Sequence, residues 1–139
     1  FLDFDFEQVA LFGAADVQRL LSDARIVRHR GKIEATITNA RRAREAVEAH
    51  GSLGTLIWRY EPPPVAQAAN TTRRAVSQTE HSAKLAADLK KLGWRFFGPT
   101  TAYAFMQAMG LVNDHMEGCV VRDECEAARS EFMRPETTL

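Results

Sequence analysis

Lys91–Cys119, KLGWRFFGPTTAYAFMQAMGLVNDHMEGC, is the stretch on which the reading of this chain turns. A helical run ends at Gly93, Trp94 to Phe97 form a short turn, and a second helical run opens at Gly98-Pro99-Thr100-Thr101. Proline suits the first turn of a helix, and the first N–H groups of a helix are free to bind an anion. Gly98 leaves the backbone open to a phosphate, and the Thr100 or Thr101 hydroxyl adds a donor, so the segment reads as a helix-hairpin-helix. Lys90, Lys91 and Arg95 add charge nearby. The plainer alternative, an αα-hairpin whose glycines only turn the chain, stays open on pattern alone.

The same stretch ends in His115 and Cys119. Four residues apart on a helix or tight turn, both side chains point one way and suit one zinc ion. A structural zinc takes four ligands, and Cys125, His29, His50 and His81 offer no second pair at useful spacing. The competing reading is a buried Cys beside a polar His. Asp114, just before His115, follows the second helical run; a helix-capping or zinc-loop role is the stronger reading and a catalytic carboxylate the other one.

Outward from this segment, helical periodicity dominates. Asp5 and Gln8 have cap spacing ahead of a short helix, and Gly13 separates it from a second carrying Val17, Leu20 and Leu21. After Gly31, Ile33, Ile37, Ala40 and Val47 define one face of a long helix. Its other face takes Arg41, Arg42, Arg44, Glu45 and Glu48, and it ends near Gly51. Leu53 to Tyr60 predicts a short helix stopped by Pro62, Pro63 and Pro64. Glu61 to Arg74 reads as a loop. Ser77 and Glu80 then have capping-box spacing before a helix whose buried stripe is Leu85, Leu89 and Leu92. Ala102 to Met109 is apolar almost all round and predicts a central helix ending at Gly110. No β-branched run of period two competes, so the class is all-α.

Arg25 to Lys32, RIVRHRGK, packs four fixed positive charges into eight residues with no acid among them. Arg28, Arg30 and Lys32 fall at or just before a helix N-terminus, where the macrodipole disfavours cations. A bound phosphate removes that conflict. A solvated basic turn paired to Asp23 or Glu34 is the alternative.

Composition sets the outer limits. The chain has 139 residues, 45% of them hydrophobic, enough for one domain with its own core. Basic and acidic side chains balance at 18 each, so any nucleic-acid contact rests on local clustering. Two cysteines six apart do not make a secreted disulfide framework, and no apolar run approaches membrane-spanning length. The expectation is a soluble, intracellular protein with no membrane partner. The opening FLDFDFEQVALF lacks both an initiator Met and signal-peptide features, so a preceding segment is expected in the natural gene. No P-loop, nucleophile elbow or HExxH motif is present.

Two blocks, ARIVRHRGKIEATITNAR (Ala24–Arg41) and LKKLGWRFFGPTTAYAFMQAMGLVNDHMEGC (Leu89–Cys119), with the spacing between them, closely resemble type I DNA-3-methyladenine glycosylase. This is the bacterial constitutive enzyme of base-excision repair. The resemblance runs from Phe4 to Cys119 and implies an all-α, helix-hairpin-helix glycosylase-type bundle with a structural zinc site near the chain ends. Residues 1–119 would form the core of the domain, with the hairpin motif at about 82–110, and 120–139 a C-terminal tail. It further implies monofunctional hydrolysis of the N-glycosidic bond of 3-methyladenine in alkylated duplex DNA, leaving an abasic site, by a cytoplasmic monomer. Zn2+ would be held by His115 and Cys119, with a Cys and a His from an N-terminal segment absent here. The catalytic and base-pocket residues are expected in that same segment. Arg28, Arg30, Lys32, Gly98, Thr100 and Thr101 are the DNA-contact candidates. The alternative is a non-catalytic DNA-binding or zinc-stabilised structural module that has lost the base pocket.

Overall fold

The structure, a computed structural model, describes residues 1–64 and 76–136. Its regular elements are α1 (Phe6–Val9), α2 (Ala14–Ser22), α3 (Arg30–His50), α4 (Leu53–Trp58), α5 (Glu80–Lys91), α6 (Pro99–Ala108) and α7 (Arg122–Glu131), preceded by a 3-10 turn at Leu2–Phe4. Among the described residues there is no strand, so the all-α expectation holds. No described helix is long and apolar enough to cross a membrane. The part of the Glu61 to Arg74 loop beyond Pro64 lies outside the described residues. The chain divides into two compact units, Phe1–Leu53 with Leu89–Phe97, and Gly54–Asp88 with Gly98–Leu139.

In the first unit, α1 and α2 pack on α3. Asp5 caps α1 by accepting from the Glu7 and Gln8 N–H groups, and the Asp16 carboxylate reaches back to the Gly13 N–H at the start of α2. Val9, Ala10, Phe12, Val17, Leu20, Ile33, Ile37 and Ala40 close into the core. Each such side chain contributes roughly 1.5–3 kcal/mol when fully buried, less for alanine. The lower half of the α3 stripe differs from the sequence reading. Ala43 and Ala46, not Val47, are the buried residues there. Arg41 does not simply face water: its guanidinium donates to the Ala10 and Phe12 carbonyls at 3.0 Å, satisfying groups that the end of α1 leaves open.

In the second unit the buried side chains include Leu56, Tyr60, Leu85, Ala86, Ala102, Tyr103, Met106, Leu111 and Val112. The box that starts α5 is Thr79 with Ser82, not Ser77 with Glu80. Thr79 Oγ1 accepts the Ser82 N–H and Ser82 Oγ accepts the Thr79 N–H, so the same cap grammar operates two residues later. Leu92 falls past the end of α5 and is exposed, which removes it from the predicted stripe. Helix α6 is not buried all round. Ala102, Tyr103 and Met106 point inward while Ala104 and Met109 face solvent.

Residues 120–139, read from the sequence only as a tail, contain helix α7 and an anchored return. Arg129 on α7 is 8% exposed, donates through Nη1 to the Gly110 carbonyl and through Nη2 to Glu61 at 3.1 Å. Arg134 then takes Glu61 through two further bonds of 2.7 and 2.8 Å and lies over the Trp58 ring, which stacks on Phe132. Burying Arg129 is tolerable because its charge is met by a carboxylate and a carbonyl.

Candidate nucleic-acid interface

The basic run lies where the sequence places it. His29 is the N-cap of α3, and its Nδ1 accepts the Lys32 N–H at 3.2 Å. Arg30 and Lys32 therefore occupy the first turn and Arg28 the residue before the cap, all exposed. The four cations are not equivalent. Arg25 is bound to Asp23 by two side-chain bonds of 2.8 and 2.9 Å, which hold the Asp23 carboxyl well below the usual carboxylate range. Arg30 pairs loosely with Glu34 at 3.4 Å. Among the described residues, Arg28 and Lys32 form no ion pair, which leaves two cations opposed to the helix dipole without compensation.

The turn after α5 belongs to the same unit. Gly93, at φ +87°, ends the helix with its own N–H on Lys90 O and the Trp94 N–H on Leu89 O. A Cβ on Gly93 would stand 3.3 Å from Arg42 Cδ, so space as well as conformation favours glycine there. Asn39 on α3 then grips the turn. Its Nδ2 donates to Arg95 O at 2.9 Å and its Oδ1 accepts the Arg95 N–H at 2.8 Å. Phe96 follows at φ +56°, a left-handed conformation that costs a bulky residue on the order of 1–2 kcal/mol. Its ring meets His29 edge-on at 6.3 Å between centroids. Sequence reading missed Asn39 and Phe96; the one available signal was a polar residue beside Ala40 on the buried side of α3.

Helix α6 opens in the second unit. Gly98 is its N-cap at φ −87°, ψ 174°, followed by Pro99 at the first position. That conformation is open to any residue, and a Cβ on Gly98 would meet nothing within 4 Å. The fold therefore does not require glycine here. What glycine does is leave bare the start of a ten-residue helix where Thr100 and Thr101 are exposed and their N–H groups have no helical partner.

His115 and Cys119 are also brought together in the second unit, with Nδ1 and Sγ 3.5 Å apart. Two ligands at about 2.05 and 2.3 Å from a tetrahedral zinc stand about 3.5 Å apart, so the pair has the spacing of one edge of such a site. Among the described residues, no group of three or more His, Cys, Asp or Glu side chains is placed to hold a metal. A cavity of about 530 Å3 lies beside the pair, lined by Gln107, Val112, Asp114, His115, Met116 and Cys119. Asp114 is fixed from α6: Tyr103 donates its hydroxyl to Oδ2 and Gln107 Nε2 donates to both oxygens at 3.0 and 3.2 Å. Burial, and then the Asp114 carboxylate, push the Tyr103 phenol above its ordinary range, so it remains a donor. These bonds tie Asp114 and the loop that carries it to α6.

Comparison with known proteins gives this geometry its context. A family model described as methyladenine glycosylase matches residues 1–123. The chain is 43% identical over 121 residues to DNA-3-methyladenine glycosylase 1 of Escherichia coli (strain K12), covering 86% of this chain and 64% of the relative. It is 38% identical over 121 residues to the DNA-3-methyladenine glycosylase of Haemophilus influenzae, covering 86% and 65%. Among solved structures, a variant of 3-methyladenine DNA glycosylase I in complex with 3-methyladenine superposes with a TM-score of 0.76 at 30% identity, over 88% of this chain and 66% of the other. The chain thus spans just under two thirds of the length of these relatives. With a family match running from its first residue to the start of α7, the chain belongs to the methyladenine glycosylase family.

Proposed function

We propose that this chain acts in base-excision repair as the DNA-holding part of a glycosylase that hydrolyses the N-glycosidic bond of 3-methyladenine in alkylated duplex DNA. The supporting observation is the bare start of α6 at Gly98, a glycine that the fold does not need, within a chain of this family. The α6 N-terminus, with the Thr100 and Thr101 N–H groups, takes one phosphate, and Arg28, Arg30 and Lys32 at the start of α3 take others.

Methylation at N3 leaves the base cationic and already a good leaving group, so the enzyme's main task is to extrude and recognise the nucleotide. Extrusion is easier at a damaged pair, and backbone contacts hold the DNA while it happens. All four lysines of the chain are exposed. The buried, desolvated lysine that forms a Schiff base is therefore not among them. Water is the nucleophile in this reading, the product is an abasic site, and the strand stays intact. Residues that read the base are assigned to the part of the relatives' length that this chain does not span.

The His115–Cys119 edge fits half of a tetrahedral zinc site, and we assign the ion a structural role: bound there it would tie the loop after α6 to the remaining ligands. We take the protein to be a monomer. The test is to incubate the protein with alkylated duplex DNA and count abasic sites and strand breaks separately. Abasic sites without breaks support the reading. Breaks formed in step with base loss refute the monofunctional assignment, and duplex binding without either product by a protein that spans the relatives' full length favours a non-catalytic DNA-binding module.

A further inference from the structure

Phe96 does not serve the first unit as a core side chain would. Its ring is 59% exposed and its backbone is left-handed, whereas a side chain recruited for packing is buried on relaxed backbone. The contacts of the ring are with the start of α3. His29 meets it edge-on, and Gly31 comes so close that a Cβ there would lie 3.6 Å from Phe96 Cζ and 3.1 Å from His29 Cε1. The conformation is imposed by its neighbour: Asn39 holds both the N–H and the C=O of Arg95, fixing the peptide units that lead into Phe96. Two further observations say what the exposed face meets. Arg28 and Lys32 flank the residues the ring touches, and Arg95 precedes it; among the described residues none of the three is in an ion pair. An exposed aromatic set among unpaired cations matches a nucleic-acid strand, with phosphates for the cations and a flat base or sugar face for the ring.

We propose that Phe96 is an apolar nucleotide contact, laid against a base or sugar of the strand whose phosphates Arg28, Lys32 and Arg95 hold, and that Asn39 is the positioning residue that presents it. The inference rests on the DNA-holding role proposed above and adds to it a contact that carries no charge. Such a contact raises affinity without releasing counterions, so it leaves the salt dependence of binding untouched.

The experiment is equilibrium binding of the full chain to a labelled duplex DNA over a series of KCl concentrations, with thermal melting of each variant in parallel. Phe96→Gly is expected to weaken binding about tenfold at every salt concentration with the slope of log affinity on log salt unchanged. Its melting temperature is expected to hold or rise, because glycine relieves the left-handed backbone. Arg28→Ala, by contrast, should flatten the slope. Asn39→Ala should weaken binding, and the Asn39→Ala/Phe96→Gly double variant should bind no worse than the weaker single one. Wild-type affinity in Phe96→Gly, or an affinity loss accompanied by a lower melting temperature, overturns the contact. Additive losses in the double variant overturn the positioning role. If the unaltered chain binds no duplex DNA at any salt concentration, the DNA-holding role itself fails.

Discussion

Replacing Arg129 by methionine tests whether the C-terminal helix is an integral strap of the second unit. Methionine keeps much of the apolar stem, so the change falls on the guanidinium. Two charge-assisted bonds disappear, one to the Gly110 carbonyl and one to Glu61, and the ion pair to Glu126 at 3.6 Å goes with them. Each charge-assisted bond contributes roughly 1.5–3 kcal/mol net. Arg134 still neutralises Glu61 through two bonds, so the loss belongs at the lower end, about 3 kcal/mol in all. With unfolding entropy near 2.1 cal/mol/K per residue over 139 residues, that amounts to about 10 °C in melting temperature. The assay is thermal and urea unfolding followed by circular dichroism. Arg134→Met is the control: it removes the half-exposed partner of the same carboxylate and should cost no more than about 1 kcal/mol. An Arg129→Met loss below about 1 kcal/mol, or one equal to that of Arg134→Met, refutes the reasoning.

The chain's two tyrosines, Tyr60 and Tyr103, both have phenols raised by burial first and by Asp88 or Asp114 second. Folded-state values above the unfolded value near 10 mean that stability is unaffected below about pH 10 and falls as the pH rises above it. Absorbance at 295 nm should therefore show less tyrosinate at pH 10 in the native protein than in urea; equal readings would contradict their environment. Asp23 has the opposite sign: its lowered value means that its contribution is complete above about pH 4 and fades in stronger acid, and Asp23→Asn should blunt the acid limb of a stability–pH profile. Cys119→Ser should lower the zinc content measured by mass spectrometry in a protein that carries the full ligand set, and unchanged stoichiometry would remove Cys119 from the metal. Gly98→Val should weaken duplex binding sharply while reducing stability by no more than about 1 kcal/mol, since only cap preference changes. Retained affinity would make Gly98 a plain turn residue.

Much of the fold was legible because helical period and glycine stops are local. The Gly13, Gly51, Gly93 and Gly110 boundaries and the Ile33–Ile37–Ala40 stripe follow from them directly. The same holds for the His115–Cys119 pairing, which needs only four residues of local geometry. What escaped depends on distant partners. Arg41 looked solvent-facing until α1 brought two carbonyls to it, and Arg129 looked like a tail residue until Gly110 and Glu61 met it. Asn39 and Arg95 are 56 residues apart in sequence, so nothing local announces the clamp between them. The Thr79–Ser82 box was missed for a different reason: Ser77 with Glu80 fits the same spacing, and only the observed hydrogen bonds separate the two registers.

Release of free 3-methyladenine from methylated duplex DNA tests the central claim most directly, measured for this chain and for this chain completed to its relatives' full length with the portion of the Escherichia coli relative that it does not span. The completed protein is expected to release the base, and Gly98→Val to abolish that release. A completed protein that folds and binds duplex DNA but releases no 3-methyladenine would contradict the glycosylase role.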